Sequence, residues 1–141
     1  VRSRGLGDVY KRQVQEYTGL KNLEMLACIK NNTGIEDIRH VMEQVGLDPD
    51  DKRTYRKYSL GMKQKLGIAA AYMENPDIII LDEPINALDE AGAKQVHEIL
   101  EEQKKRGALI IIACHDKEEL EMLSDDIIEI YEGRIVAGEK E

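Results

Sequence analysis

Phenylalanine and tryptophan are absent from these 141 residues, and six tyrosines supply all the aromatic content. The core must therefore be aliphatic, and no platform for stacking single-stranded bases is available. Positive charge is also scarce: 20 Lys and Arg stand against 28 Asp and Glu, a net charge of −8. That balance argues against nonspecific binding to nucleic acid or anionic lipid, which needs a basic face. Cysteine is limited to Cys28 and Cys114, without CxxC spacing, and His40, His97 and His115 lie too far apart for zinc-ligand spacing. The two thiols fall in an expected helix and an expected strand, and are read as buried, free cysteines of a reducing compartment. No apolar run approaches the ~20 residues that cross a bilayer as a helix. None of the eleven glycines precedes a lysine, so the Gly-Lys-Ser/Thr of a phosphate-cradling loop is missing. The length suits one domain with a real core better than two.

What is present centres on residues 78–84, which read Ile-Ile-Ile-Leu-Asp-Glu-Pro. Four apolar residues, three of them β-branched, suit a strand buried on both faces, as in a parallel sheet. Pro84 then ends strand pairing. Asp82 and Glu83 are thereby placed at the carboxyl end of a buried strand, where open α/β sheets keep their ligand crevice. Adjacent acids there suit a division of labour: one holds Mg²⁺ on a nucleotide phosphate, the other orients or deprotonates a water. A hydrophobic strand ending in a polar turn is the plainer reading of the same seven residues, and the flanking segments decide between them.

Residues 1–13 are basic and without helical or strand period, and their Gly-Leu-Gly-Asp-Val-Tyr-Lys-Arg-Gln string resembles translated adapter sequence. They are expected to be non-native and are left out of the fold reading. Thr18 can cap a helix carrying Leu20, Leu23, Leu26 and Ala27. A second helix presents Ile35, Ile38, Val41, Met42 and Val45 on one face and closes at Gly46. The basic stretch with Lys52, Arg53, Arg56 and Lys57 reads as a solvated connector. Ser59 opens a third helix that stops before Asn75-Pro76. From there the rhythm is α/β. A strand over 78–81 leads to a helix from about Asp89 to Arg106, with Val96, Ile99 and Leu100 inward and Gly107 at its end. A strand over 108–114 precedes a short helix at Asp116, with Glu119 spaced as in a capping box. Asp126 to Tyr131 and Arg134 to Ala137 read as a hairpin turning at Glu132-Gly133.

Three features surround the acidic pair. Ser59, Leu60, Gly61 and Met62 start a helix whose N–H groups could approach an anion. Asn86-Ala87-Leu88-Asp89 forms a short loop directly after it. His115 follows the second apolar strand, and if the two strands are parallel neighbours it shares a crevice with Glu83. In order, spacing and residue type these segments resemble the carboxyl-terminal part of an ATP-binding cassette (ABC) ATPase, over roughly residues 16–138. The resemblance implies an α/β, P-loop NTPase (ABC ATPase) fold that is incomplete. Residues 14–76 would be the helical subdomain with the signature motif, and 77–141 the carboxyl-terminal part of a mainly parallel core.

By the same resemblance Asp82 is the Walker B aspartate on Mg²⁺ and Glu83 the catalytic glutamate. His115 is the switch histidine, Asn86 to Asp89 the D-loop, and Ser59 to Met62 the signature, usually Leu-Ser-Gly-Gly-Gln. ATP and Mg²⁺ are the implied cofactors. The implied partners are a second nucleotide-binding domain and transmembrane permease subunits, with no nucleic acid, at the inner face of the cell membrane in the cytoplasm. Departures are Tyr58 for the leading leucine, Leu60 for the first glycine, Met62 for the glutamine and Asn86 for a common serine. This Ser-Leu-Gly-Met variant is similar to the ATPases of bacterial drug- and peptide-antibiotic-type exporters. Walker A, the adenine-stacking aromatic and the glutamine loop are expected upstream, and neither Gln13 nor Gln15 fits that glutamine. Two other outcomes stay open: an inert fragment, or an ABC ATPase with a ribosome or DNA output.

Overall fold

Thr18 begins the ordered helical half by accepting the Lys21 N–H on its hydroxyl at 3.3 Å, which caps helix α1 (Gly19–Ala27). The computed structural model describes residues 13–29 and 33–140. The adapter-like stretch lies outside the described residues apart from Gln13. Leu23 and Ala27 turn inward as the helical spacing expects. Asn22, 3% exposed, pins the chain that enters the helix. Its Oδ1 accepts the Val14 N–H at 2.7 Å, and its Nδ2 donates to the Val14 and Thr18 carbonyls at 3.1 and 3.0 Å. A buried amide satisfied this fully stabilises a unique loop path.

Helix α2 (Ile35–Gln44) buries Ile38, Val41 and Met42, with Val45 just beyond it, and ends at Gly46 with φ +71°. Ile35, expected on that face, is 50% exposed. As the first helical residue it points back past the helix end, beyond the packed stripe. The basic stretch is more than a solvated connector. Residues Tyr55–Lys57 form a 3₁₀ turn whose Tyr55 is buried and donates its N–H to the Tyr17 carbonyl at 2.7 Å. Arg53 pairs with Asp51, and Arg56 with Glu16.

Helix α3 (Leu60–Tyr72) buries Gln64, Leu66, Ile68, Ala69 and Tyr72. The Tyr72 hydroxyl donates toward the Gln44 Oε1 at 3.1 Å, and burial holds its phenol un-ionised. Strand β1 (Ile78–Asp82) pairs in parallel with β2 (Leu109–Ala113), and α4 (Glu90–Lys105) makes the crossover that parallel pairing demands. Val96, Ile99 and Leu100 face inward from α4, and Gly107 takes φ +101° after it. Helix α5 (Lys117–Leu123) precedes the antiparallel strands β3 (Asp126–Tyr131) and β4 (Arg134–Lys140). Their turn has φ +47° at Glu132 and +76° at Gly133, the all-positive pattern that matches strand twist.

Three expectations are corrected here. Strand β1 is buried on one face only: Ile79 and Leu81 are 2% and 7% exposed, whereas Ile78 and Ile80 are 57% and 38% exposed. Among the described residues the helices cover one side of the pair, so every second side chain is left uncovered, as pleating dictates. Cys28 is exposed, because it caps the end of α1 rather than lying within it; Cys114 is half-buried in the loop after β2, and both are free. The capping box at Asp116 is only half made. Asp116 accepts the Glu118 and Glu119 N–H groups, but the Glu119 carboxylate turns to the Cys114 thiol at 3.2 Å. No helix among the described residues is long and apolar enough to cross a membrane.

Candidate functional site

In-register pairing sets Asp82 opposite Ala113, so the chain leaves both strands at the same edge. The ladder runs one residue further: the Glu83 N–H donates to the Ala113 carbonyl at 2.8 Å. Glu83 then turns through φ +48°, a left-handed conformation that costs a non-glycine residue ~1–3 kcal/mol. The turn delivers the carboxylate to the loop after β2. Glu83 Oε1 lies 2.5 Å from His115 Nδ1 and accepts the His115 backbone N–H at 3.2 Å, while Oε2 lies 3.6 Å from the Cys114 sulfur. The expected meeting of Glu83 and His115 at one rim is thus present. Asp82 ends β1 with an exposed side chain.

Charge follows geometry at this rim. The hydrogen bond from His115, with its positive charge, holds the Glu83 carboxyl below its usual range. The same bond, seen from the other partner, raises the His115 imidazole above its ordinary 6.5. Burial pushes the Cys114 thiol up to about 11, which leaves it protonated at neutral pH. A raised histidine contributes below its ordinary value and is lost as pH rises through the raised one. A depressed carboxylate contributes above its ordinary value and is lost as pH falls through the depressed one. The pair is therefore complete between the two ordinary values, and is lost below the lowered carboxyl and above the raised imidazole. The His115 side chain is 79% exposed, so solvent screens the pair heavily. Titrated by NMR, His115 is expected to show a midpoint above 6.5 that moves back toward 6.5 in Glu83→Gln. An equal midpoint in both forms would show that the contact does not persist in solution.

A second cluster forms around the start of α3. Ser59 accepts the Met62 N–H at 3.2 Å, which uses a lone pair and leaves its hydroxyl proton uncommitted to that bond. Gly61 passes so close to the following loop that a Cβ there would sit 2.8 Å from the Ala87 carbonyl oxygen. Asp89 caps α4 by accepting the Gly92 N–H at 2.9 Å. Ser59, Gly61, Met62, Ala87 and Asp89 line a groove of about 690 Å³ with Arg53 and Lys65 on its wall. Leu60 is 71% exposed and lines the same groove, whereas Met62 packs on the core.

A family model described as ABC transporter matches residues 7–86 of this sequence. The chain belongs to the ABC transporter family. Among curated relatives it is 46% identical over 125 residues to an uncharacterised ABC transporter ATP-binding protein, YybJ, of Bacillus subtilis, covering 89% of this chain and 57% of that protein. It is 39% identical over 120 residues to the bacitracin transport ATP-binding protein BcrA of Enterococcus faecalis, covering 84% and 39%. The chain thus spans about half the length of the curated relatives it matches. A solved ATP-binding subunit of an ABC transporter superposes with a TM-score of 0.81 at 26% identity, over 96% of this chain and 62% of that one. A dimeric ATP-binding cassette in a post-hydrolysis state with ADP and Pi gives the same TM-score at 21% identity, over 91% and 58%, which speaks for the fold alone.

Within this ABC family chain, one residue at the site escaped the motif reading. Gln64 is buried in α3, and its Nε2 donates to the Glu83 carbonyl at 2.8 Å. A signal was available: Gln64, Ile68 and Tyr72 recur every fourth residue, so a polar side chain stands on a stripe that is otherwise buried and mostly apolar. Cys114 gave less notice. Its sulfur sits between the Glu83 and Glu119 carboxylates because the loop after β2 folds back, which no spacing rule foretells.

Proposed function

We propose that these residues belong to the ATP-binding subunit of an ABC transporter, of the drug- and peptide-antibiotic exporter type, which hydrolyses ATP to drive transport. The observation that carries the reading is the Glu83 carboxylate on the His115 imidazole, at the carboxyl edge of a parallel pair. Glu83, ionised at neutral pH, accepts a proton from the attacking water as general base. His115 gives its Nδ1 side to Glu83. Its raised affinity for a proton then favours an Nε2–H that can donate to a γ-phosphate. Asp82 offers the exposed hard oxygen that Mg²⁺ binds, directly or through water. When bound, Mg²⁺ neutralises charge on the transferred phosphoryl group.

Ser59, Leu60, Gly61 and Met62 present a helix start to the nucleotide of a second cassette, and Asp89 couples the two sites through the shared groove. The helical subdomain, residues 14–76, passes closure of the dimer to transmembrane permease subunits, which holds the protein at the inner face of the membrane. Walker A residues come from sequence beyond these 141, which hold no Gly-Lys-Ser/Thr. The names of relatives support the exporter assignment: BcrA is a bacitracin transport protein and SrtF of Streptococcus pyogenes a lantibiotic transport protein.

The test uses the intact cassette that contains these residues. It should hydrolyse ATP only with Mg²⁺. Ser59→Ala should weaken ATP-driven dimerisation by about tenfold, the worth of one charge-assisted hydrogen bond, while ATP binding to the monomer stays unchanged. Ser59→Gly separates this from capping, since glycine costs the cap only a few tenths of a kcal/mol and should impair dimerisation equally. Dimerisation at the native level in both variants removes Ser59 from the nucleotide contact.

A further inference from the structure

One side chain of α3 reaches from the second turn of that helix to the Glu83–His115 rim. Gln64 lies five positions after Ser59 on α3, is 9% exposed, and donates from Nε2 to the Glu83 carbonyl at 2.8 Å. The other side of the Glu83 residue is held by β2, whose Ala113 carbonyl accepts the Glu83 N–H at 2.8 Å. Between these two bonds Glu83 takes φ +48°. A left-handed glutamate persists only where its surroundings over-determine it. Pro84 follows, fully buried, and fixes the chain on the far side. The Asn86 N–H also reaches the Glu83 carbonyl, but at 3.4 Å it is the weaker hold.

We propose that Gln64 is a positioning residue: its bond to the Glu83 carbonyl maintains the left-handed turn that aims the Glu83 carboxylate at His115, and ties that aim to the helix bearing Ser59 and Gly61. The proposal rests on the reading of Glu83 as general base. Relaxing φ to the ordinary negative region would swing the side chain away from the loop after β2, and ångström-scale misplacement of a catalytic group costs rate far more than binding. It also gives α3 a mechanical role. The first turn of α3 carries the residues that meet a second cassette, and the second turn holds the base by its backbone. A shift of α3 on dimer closure therefore reaches the Glu83 backbone through this hydrogen bond, beside the packing of α3 on β1.

The test compares Gln64→Met, which keeps length and loses the donor, with Gln64→Glu, which keeps length and polarity but cannot donate when ionised. Both are made in the intact cassette, alone and combined with Glu83→Gln. Each is expected to lower kcat by about 10–100-fold with the KM for ATP within about twofold, the pattern of an interaction needed in the transition state. In the Glu83→Gln background neither should lower kcat further, and ATP-driven dimerisation should persist. A merely structural glutamine would instead reduce dimerisation and multiply the loss in both backgrounds. If one variant fails to fold, the other decides. A native kcat in a folded variant, or an equal loss with and without Glu83, overturns the proposal and leaves Glu83 as base intact. A native kcat in Glu83→Gln alone overturns the base assignment and the proposal with it.

Discussion

Glu83→Gln is expected to cut ATP turnover of the intact cassette by about 10²–10⁴-fold, the range spanned by positioned general bases, while ATP-driven dimerisation survives. The isosteric amide keeps an oxygen that can accept from the His115 backbone N–H and from Nδ1–H, so the turn at Glu83 and the loop after β2 stay in place. What disappears is the capacity to take a proton. Asp82, the residue proposed to face the metal, is untouched, and nucleotide affinity should remain native. Turnover and size-exclusion profiles with Mg²⁺-ATP separate the two properties. Turnover within about twofold of native would assign the base elsewhere on the rim.

Gly61→Val is expected to damage both stability and closure. A Cβ at this position would lie 2.8 Å from the Ala87 carbonyl oxygen, and backbone cannot swing aside as a side-chain tip can. Over-packing of this kind costs ~1–3 kcal/mol. Valine also gains little of the helix propensity that alanine would contribute. Relief requires α3 to lift from the loop 86–89, which widens the groove between Ser59 and Asp89. The expected results are a lower urea midpoint at unchanged slope and at least a tenfold loss of ATP-driven dimerisation, about 1.4 kcal/mol or more. A native midpoint with native dimerisation would mean that the close approach of α3 and this loop is not required.

Much of this is legible in the sequence. Thr18, Ser59 and Asp89 each open a helix with a short polar side chain, and each accepts an N–H three residues on. The two aliphatic runs separated by an amphipathic helix could scarcely pair other than in parallel, and that pairing alone brings Glu83 and His115 together. Local chemistry and a short crossover suffice for these conclusions. Where the reading failed, the deciding fact was what lies across the fold. Alternation in β1 shows which side chains share a face, not whether a neighbour covers it, so Ile78 and Ile80 were misjudged. Ile35 and Cys28 stand at helix ends, where periodicity no longer tells inside from outside. Gln64 needed its partner, Glu83, nineteen residues away.

The two thiols differ in a way that has practical reach. Cys28 sits exposed at the end of α1, whereas the Cys114 thiol, half-buried between carboxylates, is mostly withheld from the thiolate form that attacks electrophiles. A maleimide dye applied briefly at neutral pH would therefore mark the helical half of the molecule and spare the rim. The native sequence thus comes with its own attachment point for following that half by fluorescence, with no engineered residue.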